Sequence, residues 1–217
     1  MNSREDILNR VRSRLGRTDD NAKPAGAEIA AWLARHPEGP RPAVPGDLAT
    51  LFCEKSRKMA STIDTVPGMA DVPAAVARYL ASLQLAPTAV CWPQLADLPW
   101  AAAGLTVAPR GAVDSDLVGI TGSFCAIAET GTLMLLSGPD TPATASLLPE
   151  THIAIVRASR IVAGMEEAWN LVRAERGELP RAVNFISGPS RTGDIEQTIV
   201  LGAHGPYRVH IVLVSGE

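Results

Sequence analysis

The sequence predicts an α/β fold: a mostly parallel sheet with helices on both faces, a β-hairpin, and an N-terminal helical arm in front of it. Three observations lead there. Short β-rich runs bounded by Pro or Gly recur, at TAVCW (88–92), LTVAP (105–109), HIAIV (152–156), AVNFIS (182–187) and RVHIVLV (208–214). Stretches with helical period precede and separate them. The apolar stretch from Leu117 to Leu136 is broken at Gly122 and again at Thr130-Gly131, which reads as two or three short strands with a hairpin turn.

The elements follow in order. Ser3 can cap a helix over 3–15, with Ile7, Leu8, Val11 and Leu15 on one face, arginines on the other and Gly16 as its end. This is a solvated surface helix or an arm that docks on a partner. Residues 18–46 are rich in Pro, Gly and Ala, and read as a linker or loose arm with a short helix near Glu28–Arg35. The domain division is therefore 1–46 and 47–217. The spacing of Leu48, Leu51, Phe52, Lys55, Met59 and Ile63 predicts a helix over 47–65 capped by Asp47. A third helix spans 71–85, with Asp71 as cap and Pro73 in its first turn. Met165–Arg176 and Ile195–Leu201 complete the helices.

Composition excludes several classes of function. The chain has 217 residues, 46% hydrophobic and 20% charged, which is ordinary for a folded protein. A net charge of −3 speaks against a broad nucleic-acid surface. The three cysteines, Cys53, Cys91 and Cys125, are far apart and form no C-x-x-C pair. They read as free, buried thiols in a reducing compartment rather than as ligands of zinc or an iron–sulfur cluster. No apolar run is long enough to span a membrane and no signal-peptide core is visible, so the expected location is cytoplasmic.

Three constellations could carry chemistry. In Ala128-Glu129-Thr130-Gly131-Thr132 a carboxylate sits beside a Gly-centred turn in the most apolar part of the chain. Glu129 is either a nucleophile, base or acceptor for a ligand hydroxyl, or a hairpin-tip Glu in solvent. The second is the run from Ser187 to Glu196, SGPSRTGDIE, read as a Gly-rich loop between a strand and a helix start. Such a loop suits an anion, with Ser190, Arg191 and Thr192 adding side-chain donors. Asp194 and Glu196 could instead cap that helix and pair with Arg191. The third is His204 in a Gly-Pro turn, either a helix C-cap group or a site residue. Thr121, ahead of the first block, joins the candidates for a site that binds a small anion. His152 and His210 lie in apolar strands as satisfied core or edge residues. Neither a Walker A loop nor a G-x-G-x-x-G fingerprint is present.

ITGSFCAIAETGTLMLLS, SLLPETHIAIV, GPSRTGDIEQTIVLGAHGP and the final RVHIVLV together resemble the lactate-utilisation protein C family, a LUD-domain family. The resemblance covers roughly 117–214, and AETGT and GPSRT-x-DIEQ-x-x-x-LG-x-HGP are its signature blocks. It implies a fold like that of the sugar-phosphate isomerase and CoA-transferase superfamily. It also implies a role in oxidising L-lactate to pyruvate with two companion proteins that carry the iron–sulfur clusters, this chain holding no cofactor itself. The loop GPDTPATASLLP lacks the Arg that family members often have there, so no anion contact carries over to it. By superfamily analogy, Glu129 compares with a catalytic Glu. The leading expectation is a non-redox subunit in which Glu129, Thr130, Thr132, Ser190, Arg191 and Thr192 line one pocket, with Gly131 among the anion-binding candidates. The alternatives are a stand-alone enzyme on a sugar phosphate or acyl-CoA, and an assembly protein in which Glu129 and Arg191 form a structural ion pair.

Overall fold

The apolar runs of the second half become the inner strands of a parallel sheet. The computed structural model describes residues 3–44, 46–195 and 198–216. The chain divides into two compact units, residues 1–42 and 43–217. The first holds α1 (Ser3–Arg14) and α2 (Asp19–Ala34). Where the composition predicts a linker with a short helix, α2 runs for 16 residues, because its alanine-rich sequence outweighs Pro24.

The second unit is built on six parallel strands in the order β1-β12-β7-β4-β2-β3. These are β1 (Thr62–Val66), β2 (Thr88–Cys91), β3 (Thr106–Pro109), β4 (Val118–Thr121), β7 (Thr151–Arg157) and β12 (Arg208–Val214). Residues 118–121, 151–156 and 209–214 are all buried, as continuous apolar strands covered on both faces must be. α4 (Val72–Ser82) covers one face, where Tyr79 stacks on the His210 ring at 3.7 Å. α5 (Thr144–Leu147) covers the other. It lies so close to β4 that a Cβ on Gly119 would meet the Ala145 carbonyl oxygen at 1.9 Å.

A second sheet, ordered β8-β5-β6-β9, packs against the first core. It comprises β5 (Cys125–Ile127), β6 (Thr132–Leu136), β8 (Ile161–Val162) and β9 (Val183–Ile186). Strand alternation divides its side chains. Ala126, Leu133 and Leu135 join the main core, while Cys125, Ile127, Met134 and Leu136 pack on Ala168 and Val172 of α6 (Met165–Arg176). Cys53, Cys91 and Cys125 are free and buried.

Two helix expectations are corrected. The helix predicted over 47–65 is α3 (Leu48–Lys58), capped by Asp47, whose Oδ2 accepts from Thr50 N at 2.8 Å. It stops before Ala60, which takes the left-handed conformation (φ 65°), and the β-branched TIDTV that follows, with Ile63, is β1. The helix predicted over Ile195–Leu201 is instead a two-stranded antiparallel ribbon of β10 (Arg191–Ile195) and β11 (Thr198–Leu201). A short apolar run cannot be assigned by periodicity alone, and its Thr-Ile-Val favours extension. A strand, β10, and not a helix N-terminus therefore follows the loop 187–190. Among the described residues, no helix is long and apolar enough to cross a membrane.

Candidate functional site

The two Gly-containing blocks meet at the C-terminal end of α3. Gly131 (φ 68°) turns the first block against it, and a Cβ there would lie 2.4 Å from Ser56 N. The buried Ser56 hydroxyl donates to the Gly131 carbonyl at 3.2 Å. Gly188 (φ 76°) does the same for the second block, since its Cβ would sit 2.0 Å from Met59 O. Three hydroxyls then tie block to block. Thr130 Oγ1 lies 2.7 Å from Thr132 Oγ1, which lies 2.6 Å from Ser187 Oγ. Arg191 Nη2 donates to Met59 O at 3.2 Å, a cation on the last carbonyls of a helix. We call this arrangement the clamp.

The other candidate residues are spread out. Glu129 Oε1 accepts from Met165 N at 3.3 Å, at the positive end of α6, while Glu167 Oε2 accepts from Gly164 N at 2.9 Å beside it. Glu129 and Arg191 therefore point to different helices, α6 and α3, and do not form the ion pair considered above. Ser190 is held by its backbone, its N–H donating to Pro206 O at 2.8 Å and its carbonyl accepting from Gly202 N at 2.9 Å. Thr192 is buried in β10, opposite Val200. His204 is exposed in the loop after β11, so it follows a strand and not a helix. The Asp194 side chain and Glu196 lie outside the described residues. Thr121 is fully buried and shares a 2.8 Å hydrogen bond with His152 Nε2.

The two core histidines are only half satisfied. His210 Nδ1 bonds Thr62 Oγ1 at 2.8 Å, but His210 Nε2 and His152 Nδ1 have no hydrogen-bond partner among the described residues. Burial pushes both rings down to about pH 4 for protonation, so they stay neutral.

A separate feature was not found from sequence. A cleft of about 610 Å³ opens at the carboxyl ends of the parallel strands. Trp92 follows β2, Gly122, Ser123 and Phe124 follow β4, and Arg157 ends β7. The chain leaves β2 for β3 on one side and runs from β4 toward β7 on the other, so the cleft lies where the strand order reverses. Open α/β sheets bind ligands at such a point. Arg160 is fixed there by a two-pronged pair with Glu175, by donation from Nε to Phe124 O at 3.0 Å, and by lying 4.8 Å over the Phe124 ring. Arg160 beside Glu175 in turn holds that carboxyl below its usual range. Arg176 lies 5.8 Å over the same ring. The wall thus offers guanidinium groups, hydroxyls and aromatic surface, with Asp140 and Glu178 as opposing charge. The one available signal was position: Arg157 follows the apolar run HIAIV, and Trp92 ends TAVCW.

Comparison with known proteins agrees with this architecture. Residues 110–214 match the LUD domain family model. The protein of Bacillus subtilis (strain 168) named Lactate utilization protein C is 45% identical over 101 residues, covering 45% of this chain and 42% of that protein. The protein of the same name from Shouchella clausii (strain KSM-K16) is 44% identical over 102 residues, covering 46% of this chain and 44% of that one. The match spans less than half the length of either relative. In three dimensions the chain is similar to a DUF162-family protein from Deinococcus radiodurans, with a TM-score of 0.59 and 28% identity, covering 80% of this chain and 99% of that one. Fold, motif blocks and family match converge on residues 110–214, where this chain is similar to the LUD domain family.

Proposed function

We propose that this chain is a component of a lactate-utilisation system that oxidises L-lactate to pyruvate. It acts there as the member without clusters, beside two iron–sulfur partner proteins. The observation that carries this reading is the 45% identity to Lactate utilization protein C of Bacillus subtilis. In this reading the cleft, not the clamp, receives the small anionic ligand. Its place at the strand ends supports that, as do its guanidinium groups, because Arg binds a carboxylate through two parallel hydrogen bonds. Arg157 at the end of β7 is the cation assigned to the ligand, and Arg160 with Glu175 shapes the wall.

The test is lactate-dependent dye reduction in extracts of a strain lacking only this chain, with purified protein added back. Restored activity is expected. Full activity without the chain overturns the reading.

One observation favours a second reading. A cleft of about 610 Å³ is larger than lactate needs and falls in the range used by coenzyme-sized ligands. A stand-alone enzyme on a sugar phosphate or acyl-CoA would use that space. Thermal unfolding with a panel of such compounds separates the two, since a ligand at 100 times its Kd stabilises by about 2.7 kcal/mol.

A further inference from the structure

None of residues 3–18 and 24–42 is buried, although α1 and α2 carry large apolar side chains. On α1, Ile7 is 58% exposed, Leu8 38% and Val11 48%, and Leu15 just past its end is 67% exposed; on α2, Ile29, Trp32 and Leu33 are each more than half exposed. A helix of 12 residues is marginal in water on its own and draws its stability from packing an apolar face. α1 therefore calls for something to cover it.

The charges on α1 say what. With about 100° per residue, Ile7, Leu8, Val11 and Leu15 fall within an arc of about 100°. Arg4 falls within that arc at its N-terminal end, Arg10 and Arg14 border one side and Arg12 the other, its Nη1 steadied by Asn9 Oδ1 at 3.0 Å. Asp6, Asn9 and Ser13 fall on the opposite face, and Glu5 lies beside Arg12 at its edge. Every basic residue from 4 to 17 is Arg and none is Lys, and Arg is the side chain whose fork matches a carboxylate or a phosphate.

We propose that α1 is a docking helix that lays its aliphatic stripe into an apolar groove of a protein partner whose rim is lined by carboxylates. Helix-in-groove recognition uses anchors at this spacing, and arginine stems extend the apolar contact while their heads meet the acidic rim. A lipid surface is the competing occupant. The stripe of only four side chains and the two carboxylates in the first turn favour the protein groove. The proposal stands apart from the lactate reading.

The test uses the full chain, expressed in its own cells with a photo-crosslinking residue in place of Val11. Crosslinking to another protein is expected, at a segment where acidic residues flank apolar ones. Arg10→Glu with Arg14→Glu should lower that yield at least tenfold while helix content and the unfolding midpoint stay unchanged. The same crosslinker at Asn9, on the opposite face, should give little product. The proposal is overturned by crosslinks only to residues 43–217 of its own chain or to a second copy. It is equally overturned by no crosslink, by equal yields from positions 9 and 11, by a yield insensitive to the charge reversal, or by capture on phosphatidylglycerol vesicles with crosslinking to lipid.

Discussion

The cleft and the clamp use opposite means. The cleft is open and charged, and its walls come from the ends of separate strands, which only the order of the sheet brings together. The clamp is closed and made of glycines, hydroxyls and one guanidinium, and it joins two segments whose motifs stand out in the sequence. The contrast teaches that a dense motif can mark where backbones must approach closely. Space for a ligand arises from topology and leaves a fainter trace.

The strongest way to break this comparison is to put a side chain into the clamp. Gly131→Ala places a Cβ 2.4 Å from Ser56 N at positive φ, and should cost about 4 kcal/mol in urea unfolding. A loss below about 1 kcal/mol would mean that the clamp is not tight.

Acid comes next, and it acts on the cleft side. His152 bonds Thr121, the residue before cleft-lining Gly122. Above pH 6.5 these histidines are neutral in both the folded and the unfolded chain. Below it the unfolded chain takes up protons that the folded chain refuses until about pH 4, so stability falls as pH drops through that window. The loss should reach about 3 kcal/mol for each ring. Comparing the stability–pH slopes of wild type and His152→Gln isolates one of them, and identical slopes would contradict it.

The comparison sharpens with two arginines. Arg157→Ala should lower restored dye reduction at least tenfold, about 1.4 kcal/mol, with the unfolding midpoint unchanged. Arg191→Ala should leave dye reduction intact and cost about 0.5 kcal/mol of stability, as one exposed bond to a helix end implies. The reverse pattern would move the ligand to the clamp.

Most of the fold was legible because its strands announce themselves. HIAIV and RVHIVLV read as buried strands, and the breaks at Gly122 and Gly131 fall between β4, β5 and β6. The misreadings come from residues whose local preference is divided. Ile63 continues the helical spacing of α3, yet a left-handed Ala60 intervenes. TIVL fits either period, and pairing with Arg191 and Thr192 decides for a strand. The nearness of Thr132 to Ser187, across 55 positions, was not legible, because it depends on how β6 and β9 pair. The cleft was missed for the same reason: strand ends are visible in sequence, but their neighbours are not.

The buried cysteines have a consequence for chemical durability. Burial pushes the Cys91 and Cys125 thiols up to about 11 and raises that of Cys53 as well. At neutral pH about one Cys91 or Cys125 side chain in ten thousand is then a thiolate, the form that peroxides and alkylating agents attack. While the chain stays folded, these sulfurs are insulated from oxidants, so brief unfolding is what would let oxidation in. The rate at which the native chain loses thiols to a mild oxidant therefore serves as a clock for its opening.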